Sequence, residues 1–207
     1  MIKSFELAES NLAPNFIGSW IIEPLSICDE LMDYFETNTS KQKRGVVAGG
    51  PNLNTKNSID IRITPKDMKL PGNEVFDKYF QNLFCCYQDY VTDWPFLASF
   101  AESLHVGSFN LQRYQSGQHF QKLHAERGNL DTLHRLFAWM TYLNDVDKED
   151  GGSTFFSHYD LAIQPKKGLT LIWPAEWTHA HKGNVLKANN KYIITGWMTF
   201  PNNQELC

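Results

Sequence analysis

The stretch LQRYQSGQHFQKLHAERGN, residues 111–129, decides how the rest of the chain is read. In an extended segment side chains alternate, so residues two apart point to the same side. His124 and Glu126, separated only by Ala125, can therefore present an imidazole and a carboxylate to one ion. A second histidine completes a set of two imidazoles and one carboxylate, which holds three corners of an octahedron, leaves three open and suits non-haem Fe(II). Two candidates lie downstream in THAHKGN, residues 178–184: His179 and His181.

Around this stretch, the chain from about residue 105 onward is a series of short segments: HVGSFNLQRYQ, RLFAWMTYLND, STFFSHYDLAIQP, GLTLIWPAE and KYIITGWMTF. Each is rich in aromatic or β-branched residues and bounded by Gly, Pro, Asn or Asp, which marks strands joined by turns. Several such strands in succession predict an antiparallel sandwich or jelly roll. Before residue 105 the signals differ. CDELMDYFET, preceded by Pro24 and Ser26, places Leu31, Tyr34 and Phe35 on one helical face with Ile27. SIDIRITP alternates Ile59, Ile61 and Ile63 with polar residues, as a half-buried strand does. After the turn at Pro71-Gly72, the run from Asn73 to Trp94 repeats apolar residues at helical spacing and should pack its aromatic face on a sheet. The segment 41–57, rich in Gly, Asn and Lys, reads as a loop that could act as a lid.

The expectation is thus an α+β, mainly β protein forming one domain over 1–207, with 1–104 as helical and strand support and 105–200 as the jelly-roll core. The N-terminal helices should cover one outer face. Hydrophobic residues make up 42% and aromatic residues 14%, enough for a sizeable core. A net charge of -4 with no basic aromatic stripe makes nucleic acid an unfavoured partner. No run approaches the length of a membrane span and the N-terminus carries acids, so neither secretion nor membrane insertion is expected. Cys28, Cys85, Cys86 and Cys207 lack C-x-x-C spacing, and a reduced, cytoplasmic protein is the simplest reading.

Tyr114 and Gly117 before His124, the turn Gly151-Gly152-Ser153-Thr154-Phe155, the strand opening Pro165-Lys166-Lys167-Gly168, the distal histidine, Lys191 and the closing Trp197 stand in one order. Over residues 111–200 this set resembles the prolyl 4-hydroxylase-like family of Fe(II)- and 2-oxoglutarate-dependent dioxygenases. The resemblance implies a double-stranded β-helix with His124, Glu126 and one histidine of THAHKGN as metal ligands. The family spacing of about ten residues between the distal histidine and the basic residue points to His181, with His179 packing or orienting beside it. A glutamate at 126, where most members carry aspartate, is a departure that lengthens the side chain by one methylene. Retention of a carboxylate points to hydroxylation over halogenation.

The resemblance also implies O2 and 2-oxoglutarate as co-substrates, ascorbate as a possible reductant, and release of succinate and CO2 as a C–H bond is hydroxylated. A buried dicarboxylate needs a cation and donors. Lys191 is the family-matched cation, Tyr114 the phenol donor, and Thr141 or Tyr142 an additional contact. Arg113, Arg127 and Arg135 are candidates for substrate contact at the mouth, and Trp173, Trp177 and Trp197 for core or pocket wall. A peptidyl proline, a free amino acid and a small metabolite are all open as substrates. A jelly-roll protein binding a metal or ligand without catalysis is the competing class.

Overall fold

The strand Arg135–Tyr142 is buried along almost its whole length, and alternation sends its two faces into two different cores. The computed structural model describes residues 2–5, 15–47, 50–101 and 103–201. Its strands are β1 (Ile2–Ser4), β2 (Gly18–Ile22), β3 (Lys43–Arg44), β4 (Ile59–Ile63), β5 (His105–Val106), β6 (Phe109–Gln115) and β7 (Phe120–His124). They continue with β8 (Arg135–Tyr142), β9 (Thr154–Phe156), β10 (Leu161–Ile163), β11 (Leu169–Pro174), β12 (His181–Gly183) and β13 (Asn190–Thr199). The helices are α1 (Ser26–Thr37), α2 (Pro65–Met68), α3 (Glu74–Asp93) and α4 (Phe96–Phe100).

A nine-stranded sheet runs β1-β2-β11-β8-β13-β6-β4-β3, with β5 on the end of β13, and faces a four-stranded sheet β10-β9-β12-β7. The pairings are antiparallel, as the jelly-roll expectation requires. Phe137 and Trp139 of β8, Ile172 of β11 and Ile194 of β13 point to the outer face, where α1 and α3 cover them. Trp139 is fully buried there, ringed by Tyr79, Phe80 and Phe109. Gly196 lies beneath it because a Cβ there would stand 2.6 Å from the indole and 2.9 Å from the Phe109 Cβ. Removing an indole so placed would cost about 3–5 kcal/mol. Ala138, Met140 and Tyr142 point the other way, into the space between the sheets, with Leu171, Trp173, Phe156 and Ile193.

Both predicted helices form, over Ser26–Thr37 and Glu74–Asp93, and each buries the face its spacing marked. Residues before 105 do more than support the core: β1 and β2 extend one end of the large sheet, and β4 and β3 extend the other. STFFSHYDLAIQP divides into β9 and β10, a hairpin turning at residues 157–160. The predicted loop 41–57 contains β3 and closes onto β7 through paired bonds between Asn57 and His119, 2.8 and 3.1 Å. Residues 48 and 49 of that loop, residues 6–14 of the lead-in, and Cys207 lie outside the described residues.

Candidate metal and co-substrate site

His124 closes β7 and His181 opens β12, and the two are paired directly across these neighbouring strands. Glu126 follows in the bend after β7. Its Oε1 lies 3.4 Å from His181 Nε2 and 3.7 Å from His124 Nε2, and ligand atoms of the three residues all lie within 4.8 Å of one another. Both Nδ1 atoms are held by backbone carbonyls, His124 on Lys122 at 2.8 Å and His181 on His179 at 2.9 Å. With Nδ1 donating, Nε2 is left with its lone pair toward the shared point, the tautomer a metal requires.

Electrostatics favour the deprotonated donors. Burial, and then the neighbouring His181, lower the His124 pKa to about 4. Burial pushes the Glu126 carboxyl up, but His181, His124 and the Trp197 N–H outweigh it and hold the carboxyl at about 2. A neutral His124 and an ionised Glu126 are thus available near neutral pH, and the set of two imidazoles and one carboxylate fits Fe(II).

His179 takes a different place. Its Nε2 donates to the Asn15 carbonyl at 2.8 Å, its Nδ1 faces the Thr178 hydroxyl at 3.0 Å, and only its backbone carbonyl serves His181.

The co-substrate candidates separate by strand face. Lys191, on β13, points inward and is buried; its Nζ donates to the Gly152 carbonyl at 2.7 Å and lies 4.6 Å from the centre of the Tyr114 ring. Burial lowers its pKa to about 8. Tyr114 faces it from β6, buried, its hydroxyl donating to Gln112 Oε1 at 2.8 Å. Tyr142 also points inward, its hydroxyl donating to Thr154 Oγ1 at 2.6 Å. Thr141 does not. One residue away on the alternating strand, it faces the helices and bonds Tyr79 at 2.8 Å and Thr170 at 2.6 Å, so its expected contact with the co-substrate is withdrawn.

Of the three arginines, only Arg113 lies away from the site. Arg113 lies on the outer face, paired with Glu36 at 2.8 Å over the Phe35 ring. Arg127 pairs with Glu176. Arg135 reaches the Glu126 carbonyl at 2.9 Å and stacks on Trp197. Trp173 and Trp197 line the interior side, whereas Trp177 is 68% exposed and is not a wall.

A buried polar cluster that alternation alone sends to solvent sits next to Tyr114. Asp60 accepts from Lys56 at 2.6 Å, Ser58 at 2.7 Å and Gln112 at 3.3 Å. The polar face of β4 reads as solvent-facing in isolation. The signal available was Gln112, a polar residue two before Tyr114 on a strand of otherwise buried alternation.

Residues 109–199, which carry every residue of this site, match the family model described as the 2OG-Fe(II) oxygenase superfamily. No curated protein is significantly similar in sequence. Among solved structures, the chain is similar to a Pseudomonas putida prolyl-4-hydroxylase, with 15% identity, TM-score 0.70, and coverage of 93% of this chain and 96% of that one. It is also similar to a viral collagen prolyl hydroxylase from Paramecium Bursaria Chlorella virus-1, in its 2OG complex, at 17% identity and TM-score 0.65 over 91% of this chain and 98% of that one. A Trichoplax adhaerens prolyl hydroxylase bound to a hypoxia inducible factor peptide fragment shares 16% identity and TM-score 0.69, over 93% and 87%.

The fold, the donor set and the family match over residues 109–199 together fit a 2-oxoglutarate-dependent dioxygenase that uses Fe(II) and O2. The prolyl hydroxylases among the solved structures share its fold.

Proposed function

We propose that this dioxygenase hydroxylates a proline within a peptide, with His124, Glu126 and His181 holding Fe(II) and Lys191 receiving the distal carboxylate of 2-oxoglutarate. Bound iron supplies the activation of O2. The chain's own residues do the rest. Lys191 anchors the far end of the co-substrate, the Tyr114 ring packs beside it, and Tyr142 packs from the adjoining strand. One oxygen atom enters succinate and the other the new hydroxyl, with CO2 released.

The observation that carries this reading is the Lys191 ammonium. It is buried on the same inward face that meets the metal candidates, and among the described residues no carboxylate pairs with it. A desolvated cation with one carbonyl partner is costly unless an anion arrives to share the site. Similarity to hydroxylases that include a peptide-bound example supports a peptide as acceptor. We place the protein in a reducing, cytoplasmic compartment, which agrees with the free thiols of Cys28, Cys85 and Cys86.

Anaerobic reconstitution with Fe(II) and 2-oxoglutarate, then admission of O2 with proline-containing peptides and with free amino acids, tests the acceptor. Succinate formed in step with a peptide mass gain of one oxygen atom is expected. Turnover with free amino acids and with no peptide would overturn the peptidyl assignment.

A further inference from the structure

Glu126 presents its two carboxylate oxygens to different partners. Oε1 faces the two histidines, while Oε2 accepts the Trp197 indole N–H at 2.7 Å. The Arg135 guanidinium lies 3.7 Å from the centre of the Trp197 ring, and its Nη1 donates to the Glu126 backbone carbonyl at 2.9 Å while standing 3.7 Å from Oε2. Three residues from the bend after β7, the start of β8 and the end of β13 thus close a ring around one carboxylate.

This ring depends on an irregularity. Ala138, Met140 and Tyr142 of β8 point inward, so regular alternation would put Arg135 on the outer face with Phe137. The register between β8 and β13 slips after Met198, where Thr199 pairs with Arg135 and not with Leu136. Such a bulge re-aims the side chains beyond it, and here it brings Arg135 to the side of Trp197.

The chemistry gives the arrangement a purpose. Two imidazoles and a single carboxylate oxygen leave three of six positions, two for a chelating 2-oxo acid and one for O2. Glutamate has one more rotatable bond than aspartate and can turn both oxygens to a metal, which would take the position O2 needs. We infer that Trp197 and Arg135 are positioning residues that commit Oε2 of Glu126 to the indole and so fix Oε1 as the oxygen aimed at the metal. The inference rests on Glu126 being a ligand.

Mn(II) titration followed by the EPR signal of the free ion, with the melting temperature of the metal-free protein measured alongside, is the test. The parent should bind Mn(II); failure to bind would remove the ligand assignment itself. Given a binding parent, Trp197→Phe keeps the ring packing but loses the N–H, and its affinity should fall about 10- to 100-fold, the usual effect of removing a partner that orients a ligand. Arg135→Lys should fall in the same direction by less. A folded Trp197→Phe variant with parental affinity would overturn the inference. If that variant does not fold, parental affinity in Arg135→Lys would overturn it equally. Glu126→Asp supplies a second check: its carboxylate is too short to keep both contacts, so adding Trp197→Phe should cost little more, whereas fully additive losses would show that the indole acts independently of the carboxylate.

Discussion

His124 and His181 face each other across two antiparallel strands with ring centres 4.5 Å apart, each tied through Nδ1 to the carbonyl two residues upstream in its own segment. The symmetry of these bonds aims both Nε2 atoms at the space beside Glu126 Oε1. His181→Ala should therefore abolish metal binding and turnover. His179→Ala should keep most of both, because His179 orients its neighbour through a backbone carbonyl that alanine retains. Equilibrium Mn(II) binding by the two variants decides the point, and loss on His179→Ala with retention on His181→Ala would reverse the assignment.

The role proposed for Lys191 concerns the co-substrate and not the metal. Lys191→Met fills similar space without the charge, and leaving the 2-oxoglutarate carboxylate unpaired should cost about 3 kcal/mol or more, roughly a hundredfold in affinity. Mn(II) affinity should stay near the parent value. The metal-free variant should also melt no lower than the parent, since a buried ammonium bonded only to the Gly152 carbonyl is replaced by an apolar group. Isothermal titration of 2-oxoglutarate into the Mn(II) protein gives the first quantity and a thermal scan the last.

The lowered Lys191 pKa sets a pH dependence. Burial brings it to about 8, so the ammonium is present below that value and lost above it. Pairing with a carboxylate needs the charged form. Affinity for 2-oxoglutarate should be full below about pH 8 and fall as pH rises through it, by up to about tenfold per unit while the bound lysine stays protonated. In Lys191→Met the affinity should be weak and flat over the same window. A parent profile that is flat from pH 7 to 9 would separate Lys191 from the co-substrate.

Thr141 should matter for stability alone. Its hydroxyl bonds the buried Tyr79 and Thr170 hydroxyls between the sheet and α3. Thr141→Val would leave those groups short of a partner at a cost of about 1–3 kcal/mol. Chemical denaturation should register the loss while the dissociation constant for 2-oxoglutarate remains parental. A weakened co-substrate with unchanged stability would return Thr141 to the site.

Local pattern carried far in this protein. The period of 59–63 and the helical spacing of 73–94 marked elements that form, because each buries one face and the chemical alternation records which. The i, i+2 spacing of His124 and Glu126, with the histidine loop downstream, named the residues that the fold brings together, since metal ligation restricts residue type strongly. What pattern could not supply was anything set by a partner strand. Thr141 and Tyr142 are adjacent and chemically similar as donors, and only the sheet's layering shows that one faces the helices and the other the interior. On the polar face of β4, Asp60 is enclosed because Lys56, Ser58 and Gln112 close on it, while Arg62 stays exposed. Arg135 reaches Trp197 through a slip in register between β8 and β13, a relation between residues more than sixty positions apart that no local period encodes. Sequence alone therefore determined which chemical groups were present and which local conformations they favour. Tertiary structure decided which of them meet, because cross-strand register and bulges are fixed by packing over the whole sheet.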